Sequence, residues 1–260
     1  LVGRNYGTIQ NLKVILSECV NIENTNISLI ASDNYNTISN FEIFLEKPIY
    51  GKSQIGLVCQ NNYGTIKNGY IHGENIKMPY ELTDGSHRNT AVVAPLNRTT
   101  GKIMNVYSLV NIEVPTKDNY VGNMVSNGLD SSYVQNTYVV ENDEAGTQNI
   151  NYSTTTNNNK NNYYFGKQEV NSNNQKTSML SLKEASFQNQ ILNSENAFNV
   201  DELIEQGYYP QLNFPDCMPN QTYIKLPEIE DADLPDILSS EVIEENINEA
   251  KVRLVINNPN

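Results

Sequence analysis

Tryptophan is absent from the 260 residues, cysteine occurs three times and histidine twice. Cys19, Cys59 and Cys217 fit no zinc or redox spacing, so neither a metal finger nor a disulfide scaffold is expected. A bridge among the three stays open but disfavoured, and Cys59, inside the run IGLVC, reads as a small buried hydrophobe. Basic residues are scarce, with 17 Lys and Arg against 30 Asp and Glu, a net charge of −13 and a pI near 4.6. Binding to nucleic acid is excluded on that balance, because phosphate contacts need clustered Lys and Arg. No apolar run reaches the ~18 residues of a membrane span, so this chain is not expected to insert into a bilayer. No signal peptide is visible, and no Gly-x-Ser-x-Gly elbow offers a nucleophile.

What the chain has instead is Asn, Tyr, Gly and a repeated phrase. NYGTIQNLKV at 5–14 returns as NYNTISNFEI at 34–43 and as NYGTIKNGYI at 62–71. Looser copies are TTGKIMNVYSLV from 99 and SSYVQNTYVV from 131. Each copy holds an aliphatic residue, a spacer and an Asn: Ile9 and Asn11, Ile38 and Asn40, Ile66 and Asn68, Ile103 and Asn105, Val134 and Asn136. Successive aliphatic positions step by 29, 28, 37 and 31 residues, an irregular period near 30. A fixed period of this size marks a repeat architecture, and it is too short for propeller blades.

Apolar runs precede the turns: ISLIAS, IGLVCQ, AVVAPL and GNMVSN. Each repeat therefore reads as strand, Asn/Gly-rich turn and a second strand of alternating polarity, with no helical pattern between. This predicts an all-β fold, a right-handed parallel β-helix in which Asn11, Asn40, Asn68, Asn105 and Asn136 stack as an amide ladder. The aliphatic residues fill the interior, and Gly7, Gly64 and Gly101, with Asn36 as substitute, are expected at positive φ. Residues 1–166 are assigned to the coils.

Residues 141–162 are polar and of low complexity, a loop before the strand YYFG. Residues 167–227 are assigned to a small helical and extended C-terminal cap, with short helices expected at 181–192 and 199–206. Residues 228–260 read as an acidic linker and the start of a following domain. There a helix is expected, capped at Ser239 or Ser240 with Glu241 and Glu244 in its first turn, and then a strand. The chain opens at Leu1 inside a repeat and ends on the strand-like KVRLVINNPN, which suggests a piece of a longer protein.

The NYGTIKN coils resemble Gly-rich repeats of bacterial surface proteins. GYYPQLNFPDCMPNQTYIKLP, followed by AKVRLVINNP, resembles the region upstream of the catalytic domain in IgA1-protease-type zinc metallopeptidases of Gram-positive bacteria. That resemblance is most specific over residues 207–258. It implies an extracellular, cell-surface or cell-wall-associated parent that uses zinc to cleave host glycoproteins such as immunoglobulin A. It makes this chain a non-catalytic spacer or substrate-docking module, with no cofactor of its own. The family's H-E-x-x-H motif is absent, so no catalytic residue is transferred. The alternatives are a surface adhesin or glycan-binding module, and a β-helical enzyme that degrades polysaccharide.

Candidate side chains are few. His72 and His87 lack ligand-spaced partners and read as solvated loop residues, and no metal site is expected. The acidic cluster Glu228, Glu230, Asp231, Asp233 and Asp236 lacks a Ca²⁺-loop pattern. Glycan cleavage would draw on Asp33, Lys67, Arg98, Lys102 and Asp130, which requires two carboxylates facing across a sugar. Tyr6, Tyr35 and Tyr63, one per coil, form a possible binding row for sugar or protein, with turn packing as the plainer role. Four Asn-x-Ser/Thr triplets, at Asn26, Asn97, Asn151 and Asn220, are what chance supplies in so Asn-rich a chain.

Overall fold

A computed structural model describes residues 1–22, 26–52, 54–79, 89–114, 121–129, 131–140, 160–165, 175–176, 197–199, 206–213, 221–226, 236–245 and 250–257. The first coil consists of β1 (Val2–Asn5), β2 (Thr8–Leu16) and β3 (Val20–Ile22). The second repeats this as β4 (Ala31–Asn34), β5 (Thr37–Leu45) and β6 (Ile49–Gly51), and the third as β7 (Cys59–Asn62), β8 (Thr65–Gly73) and β9 (Ile76–Lys77). The fourth has β10 (Thr90–Ala91), β11 (Leu96–Asn97), β12 (Lys102–Ser108) and β13 (Ile112–Glu113). The fifth has β14 (Val121–Gly122), β15 (Asn127–Gly128) and β16 (Tyr133–Val140); β17 (Lys160–Phe165) and β18 (Gln175–Lys176) follow.

Like strands pair with like in parallel. One sheet runs β1-β4-β7-β11-β15, a second runs β2-β5-β8-β12-β16-β17-β18, and a third runs β3-β6-β9-β13. The register places repeat on repeat, Ile9 on Ile38, Ile38 on Ile66, Ile66 on Ile103 and Ile103 on Val134. The molecule is thus the expected parallel β-solenoid, with about four turns and no helix among the described residues.

The repeated Asn explains how one strand of the long sheet serves two interior walls. Asn11, Asn40, Asn68, Asn105, Asn136 and Asn161 have φ between 52° and 57°. A residue in this left-handed region interrupts the in-out alternation of a strand. Ile38 and Phe41 therefore both point inward, and Ile43 and Leu45 follow them into one core. All four are fully buried, each such side chain contributing about 1.5–3 kcal/mol. Where the third coil has Gly69 in this row, the Phe41 ring from the coil above occupies the vacated space.

This assignment corrects the expected glycine roles. Gly7, Gly64 and Gly101 have no positive φ; the ladder asparagines hold that conformation themselves. Gly64 and Gly101 are required by close approach, since a Cβ on Gly64 would lie 2.0 Å from the Asn36 carbonyl oxygen, and one on Gly101 would lie 2.4 Å from the Asn62 carbonyl oxygen.

A second correction concerns the acidic C-terminal stretch. The chain divides into two compact units, Leu1–Ile224 and Lys225–Asn260. In the second, the expected helix is instead β21 (Asp236–Glu245), which pairs antiparallel with β22 (Ala250–Asn257). The register sets Val242 opposite Val252, Glu241 opposite Arg253 and Glu244 opposite Lys251. β-Branched and oppositely charged cross-strand positions favour this ladder over the N-cap signal. In the first unit, β19 (Phe198–Asn199) pairs antiparallel with β20 (Gln211–Leu212). The helix expected at 181–192 lies outside the described residues, as do residues 200–205 of the one expected at 199–206, whose first residue, Asn199, belongs to β19.

Candidate functional site

The solenoid carries its polar side chains in columns, and most columns close on themselves. The outer amide ladder runs through all five asparagines read from the repeat and on to Asn161. Each Nδ2 donates to the Oδ1 of the preceding coil: Asn40 to Asn11 at 3.1 Å, Asn68 to Asn40 at 3.3 Å, Asn105 to Asn68 at 3.0 Å, Asn136 to Asn105 at 3.2 Å and Asn161 to Asn136 at 3.1 Å.

A second ladder escaped the sequence reading. Asn5 donates to Asn34, Asn34 to Asn62 and Asn62 to Asn97, at 2.8, 2.8 and 2.9 Å, and all four side chains are buried. Here donors point towards later coils, so the two ladders run with opposite polarity. The signal was present, because Asn5, Asn34 and Asn62 each precede the repeat's Tyr. Its fourth member breaks the phrase by preceding Arg98. Asn97, one of the Asn-x-Thr triplets, is a buried core amide.

Tyr6, Tyr35 and Tyr63 do form one row. Their rings stack at 4.9 and 4.7 Å with interplanar angles of 10° and 6°. That spacing is the separation of neighbouring strands, so the backbone sets the stack. Tyr6 is 65% and Tyr35 40% exposed. The Arg98 guanidinium lies 5.9 Å from the Tyr63 ring centre. Tyr35 is therefore stacked on both faces and Tyr63 lies between a ring and a cation, while Tyr6 ends the row with one face on Tyr35. Beside them Arg4 approaches Asp33 at 3.6 Å, Asn61 donates to Asp33 at 2.8 Å, and Arg98 donates to Asn61 at 2.7 Å. Of the residues considered for glycan cleavage, Asp33 is thus engaged with Arg4 and Asn61, and Asp130 lies outside the described residues.

A further aromatic column was not anticipated. The register aligns Lys13, Glu42, Tyr70, Tyr107 and Tyr138 on the outer face of the long sheet. Tyr70 stacks on Tyr107 at 5.1 Å and Tyr107 on Tyr138 at 4.7 Å, all three fully buried. What covers them is the chain's own later part. Tyr138 donates to the Pro210 carbonyl at 2.6 Å, Tyr107 to Gln211 Oε1 at 3.0 Å, and Tyr70 accepts from the Thr222 amide at 2.9 Å. Burial pushes all three phenols above their ordinary range.

Glu42 anchors this strap. Its Oε1 lies 2.9 Å from His72 Nε2, 3.0 Å from Lys13 Nζ and 2.7 Å from Thr222 Oγ1. Burial alone would raise its pKa, but hydrogen bonding from His72, Tyr70, Thr222 and Lys13 prevails and holds it at about 2. His72 is consequently buried, not a solvated loop residue, and it stacks on Phe44 at 4.5 Å. His87 lies outside the described residues. Among the described residues no three His, Cys, Asp or Glu side chains gather as a metal-binding group. Cys19 is exposed and Cys59 buried, both free thiols; Cys217 lies outside the described residues.

No model of a known protein family matches the chain, and no curated protein matches it.

Proposed function

We propose that this chain is a non-catalytic solenoid module of a secreted, cell-surface zinc metalloendopeptidase that acts on host glycoproteins such as immunoglobulin A. The module serves as a stiff spacer or a docking surface. The reading rests for its enzyme context on the resemblance of residues 207–258, and for its mechanical role on one observation, the pair of opposed amide ladders. Each coil hands hydrogen bonds to the next in both directions, so polar side chains at the corners are engaged in holding coils in register. Each further coil lengthens such a rod by ~4.8 Å. The buried carboxylate-histidine pair fits this role too, because Glu42 bonds Thr222 of the strap directly and its neighbours Lys13 and Tyr70 bond the same residue.

Incubating the purified chain with immunoglobulin A, casein and a panel of polysaccharides tests the non-catalytic part. No turnover is the expected result, and cleavage that disappears in Glu42→Gln would overturn it. The enzyme context has its own check in the continuation of the gene, which should encode H-E-x-x-H with a distal Glu ligand.

A further inference from the structure

The corner that carries the tyrosine row changes shape between the third and fourth coils. Coils one to three turn through two residues, Tyr6-Gly7, Tyr35-Asn36 and Tyr63-Gly64. In the fourth coil the connection from β11 to β12 is Arg98-Thr99-Thr100-Gly101, closed by a bond from the Gly101 amide to the Arg98 carbonyl at 2.7 Å. Thr99 and Thr100 stand exposed as a ledge, and Thr100 Oγ1 donates to the Tyr63 carbonyl. Below the ledge lies an open trough of about 480 Å³, floored by Tyr35 and Tyr63 and bordered by Thr65, Thr99, Lys102 and Ser131.

This trough differs from the rest of the corner in the state of its polar groups. Elsewhere the amides are paired between coils. Here the Thr65, Thr99 and Ser131 hydroxyls have no side-chain hydrogen bond within the described residues, and neither Lys67 nor Lys102 joins an ion pair there. Lys67 lies two positions beyond Thr65 on β8, and Lys102 is the register partner of Thr65 on β12. Lys102 lines the trough, its ammonium 5.7 Å from the Tyr133 ring centre, and strand alternation puts Lys67 on the same outward face as Thr65, beside the trough rather than in its wall. Asp33, a carboxylate on this corner, is engaged by Arg4 and Asn61. Two lysines without an ion pair among the described residues form a local positive feature in a chain of net charge −13.

We propose that this trough binds an acidic polysaccharide, its carboxylates paired with Lys67 and Lys102 and its hydroxyls hydrogen-bonded by Thr65, Thr99, Ser131 and the Tyr63 edge. The tyrosine geometry selects this class. Flat stacking of a neutral sugar needs a free ring face, and in the trough the faces of Tyr35 and Tyr63 meet a neighbouring ring or Arg98. Charge and hydroxyl recognition remain. The proposal is independent of the spacer reading and asks for no cleavage, since Asp33 is held by its own partners.

The test is calorimetric titration of the intact chain with a hyaluronan octasaccharide at low salt, with dextran and poly-glutamate in parallel. Binding of hyaluronan alone is expected, weakening as salt rises. The double variant Lys67→Glu/Lys102→Glu should bind it about ten-fold or more weakly, from the reversal of two contact charges. Lys47→Glu, an exposed charge on another corner, should bind as the natural chain does. Circular dichroism and melting keep a folding failure distinct from a lost site, and Thr99→Ala supplies a milder second variant expected to weaken binding several-fold. No binding of hyaluronan, equal binding of dextran, or indifference to the double substitution would overturn the proposal. Equal binding of poly-glutamate would overturn the glycan in favour of an acidic peptide.

Discussion

Asparagine at the left-handed position does two jobs that no other side chain combines. It tolerates φ near 52° at Asn40, and its amide both donates to Asn11 and accepts from Asn68. Asn40→Ala should therefore cost about 3 kcal/mol, two hydrogen bonds at about 1 kcal/mol each plus backbone strain of about 1 kcal/mol. Asn40→Gly keeps the conformation and should be roughly 1 kcal/mol less damaging, a difference that urea unfolding of the two variants resolves. Glu42 makes the residue-scale prediction for pH. Its folded pKa of about 2 lies below the reference value of 4.5, so the carboxylate is the form favoured by folding. The resulting stability is fully present above pH 4.5 and is lost as pH falls towards 2, on the order of 3 kcal/mol in total. Glu42→Gln should flatten that part of the stability-pH curve, and an unchanged curve would remove Glu42 from its role. The two residues also mark what the sequence makes legible. Asn40 recurs at a fixed offset from Ile38, so its column can be read directly. Glu42 meets Thr222 across 180 residues and His72 across 30, and no local pattern announces contacts of that kind.

At the scale of the element, the turn between the first two strands of a coil obeys a rule set by its neighbour. Gly64 sits under the Asn36 carbonyl oxygen with 2.0 Å for a Cβ, whereas Gly7, in the first coil, has nothing within 4 Å. The same substitution in the same phrase should then give opposite results. Gly64→Ala must shift backbone and should cost about 3 kcal/mol or more, while Gly7→Ala should stay within about 0.5 kcal/mol. Parallel thermal melts of the two variants decide it, and equal losses would point back to a φ requirement shared by both glycines. This is also where reading the repeat succeeded in outline and failed in cause. The phrase locates the turn, because Gly or Asn recurs there. The steric reason lies in the coil above, which a linear text does not show. The hairpin of β21 and β22 is the converse case. Ser239, Ser240 and Glu241 imitate a helix start, and pairing with the Val- and Leu-bearing strand downstream prevails. The strap was legible as a Pro-punctuated extended segment but not as the cover of a tyrosine column.

For the whole molecule, stacking makes the coil the unit of cooperativity. Each coil touches only those above and below it, so stability propagates by nearest-neighbour terms. Strands β5, β8 and β12 are paired on both sides, while β2 lies at the edge of the long sheet with Ile9, Leu12 and Val14 only partly buried. Native-state hydrogen exchange should therefore be slowest in β5, β8 and β12 and fastest in β2. The decisive measurement is the response to a defect placed in the middle. Asn68→Ala removes the link to Asn40 above and to Asn105 below. Protection should drop most in β8, next in β5 and β12, and least in β2. Among the described residues the strap connects distant coils, because Thr222 engages the first, second and third coils while Pro210 and Gln211 engage the fifth and fourth. Thr222→Ala removes the hydroxyl contacts to Glu42 on β5 and Lys13 on β2 and keeps the amide bond to Tyr70, so it should raise exchange in β5 and β2 with β16 little altered. A uniform rise through every strand in either variant would show that the solenoid opens as one cooperative block, and the coil-by-coil account of its ladders would then fail.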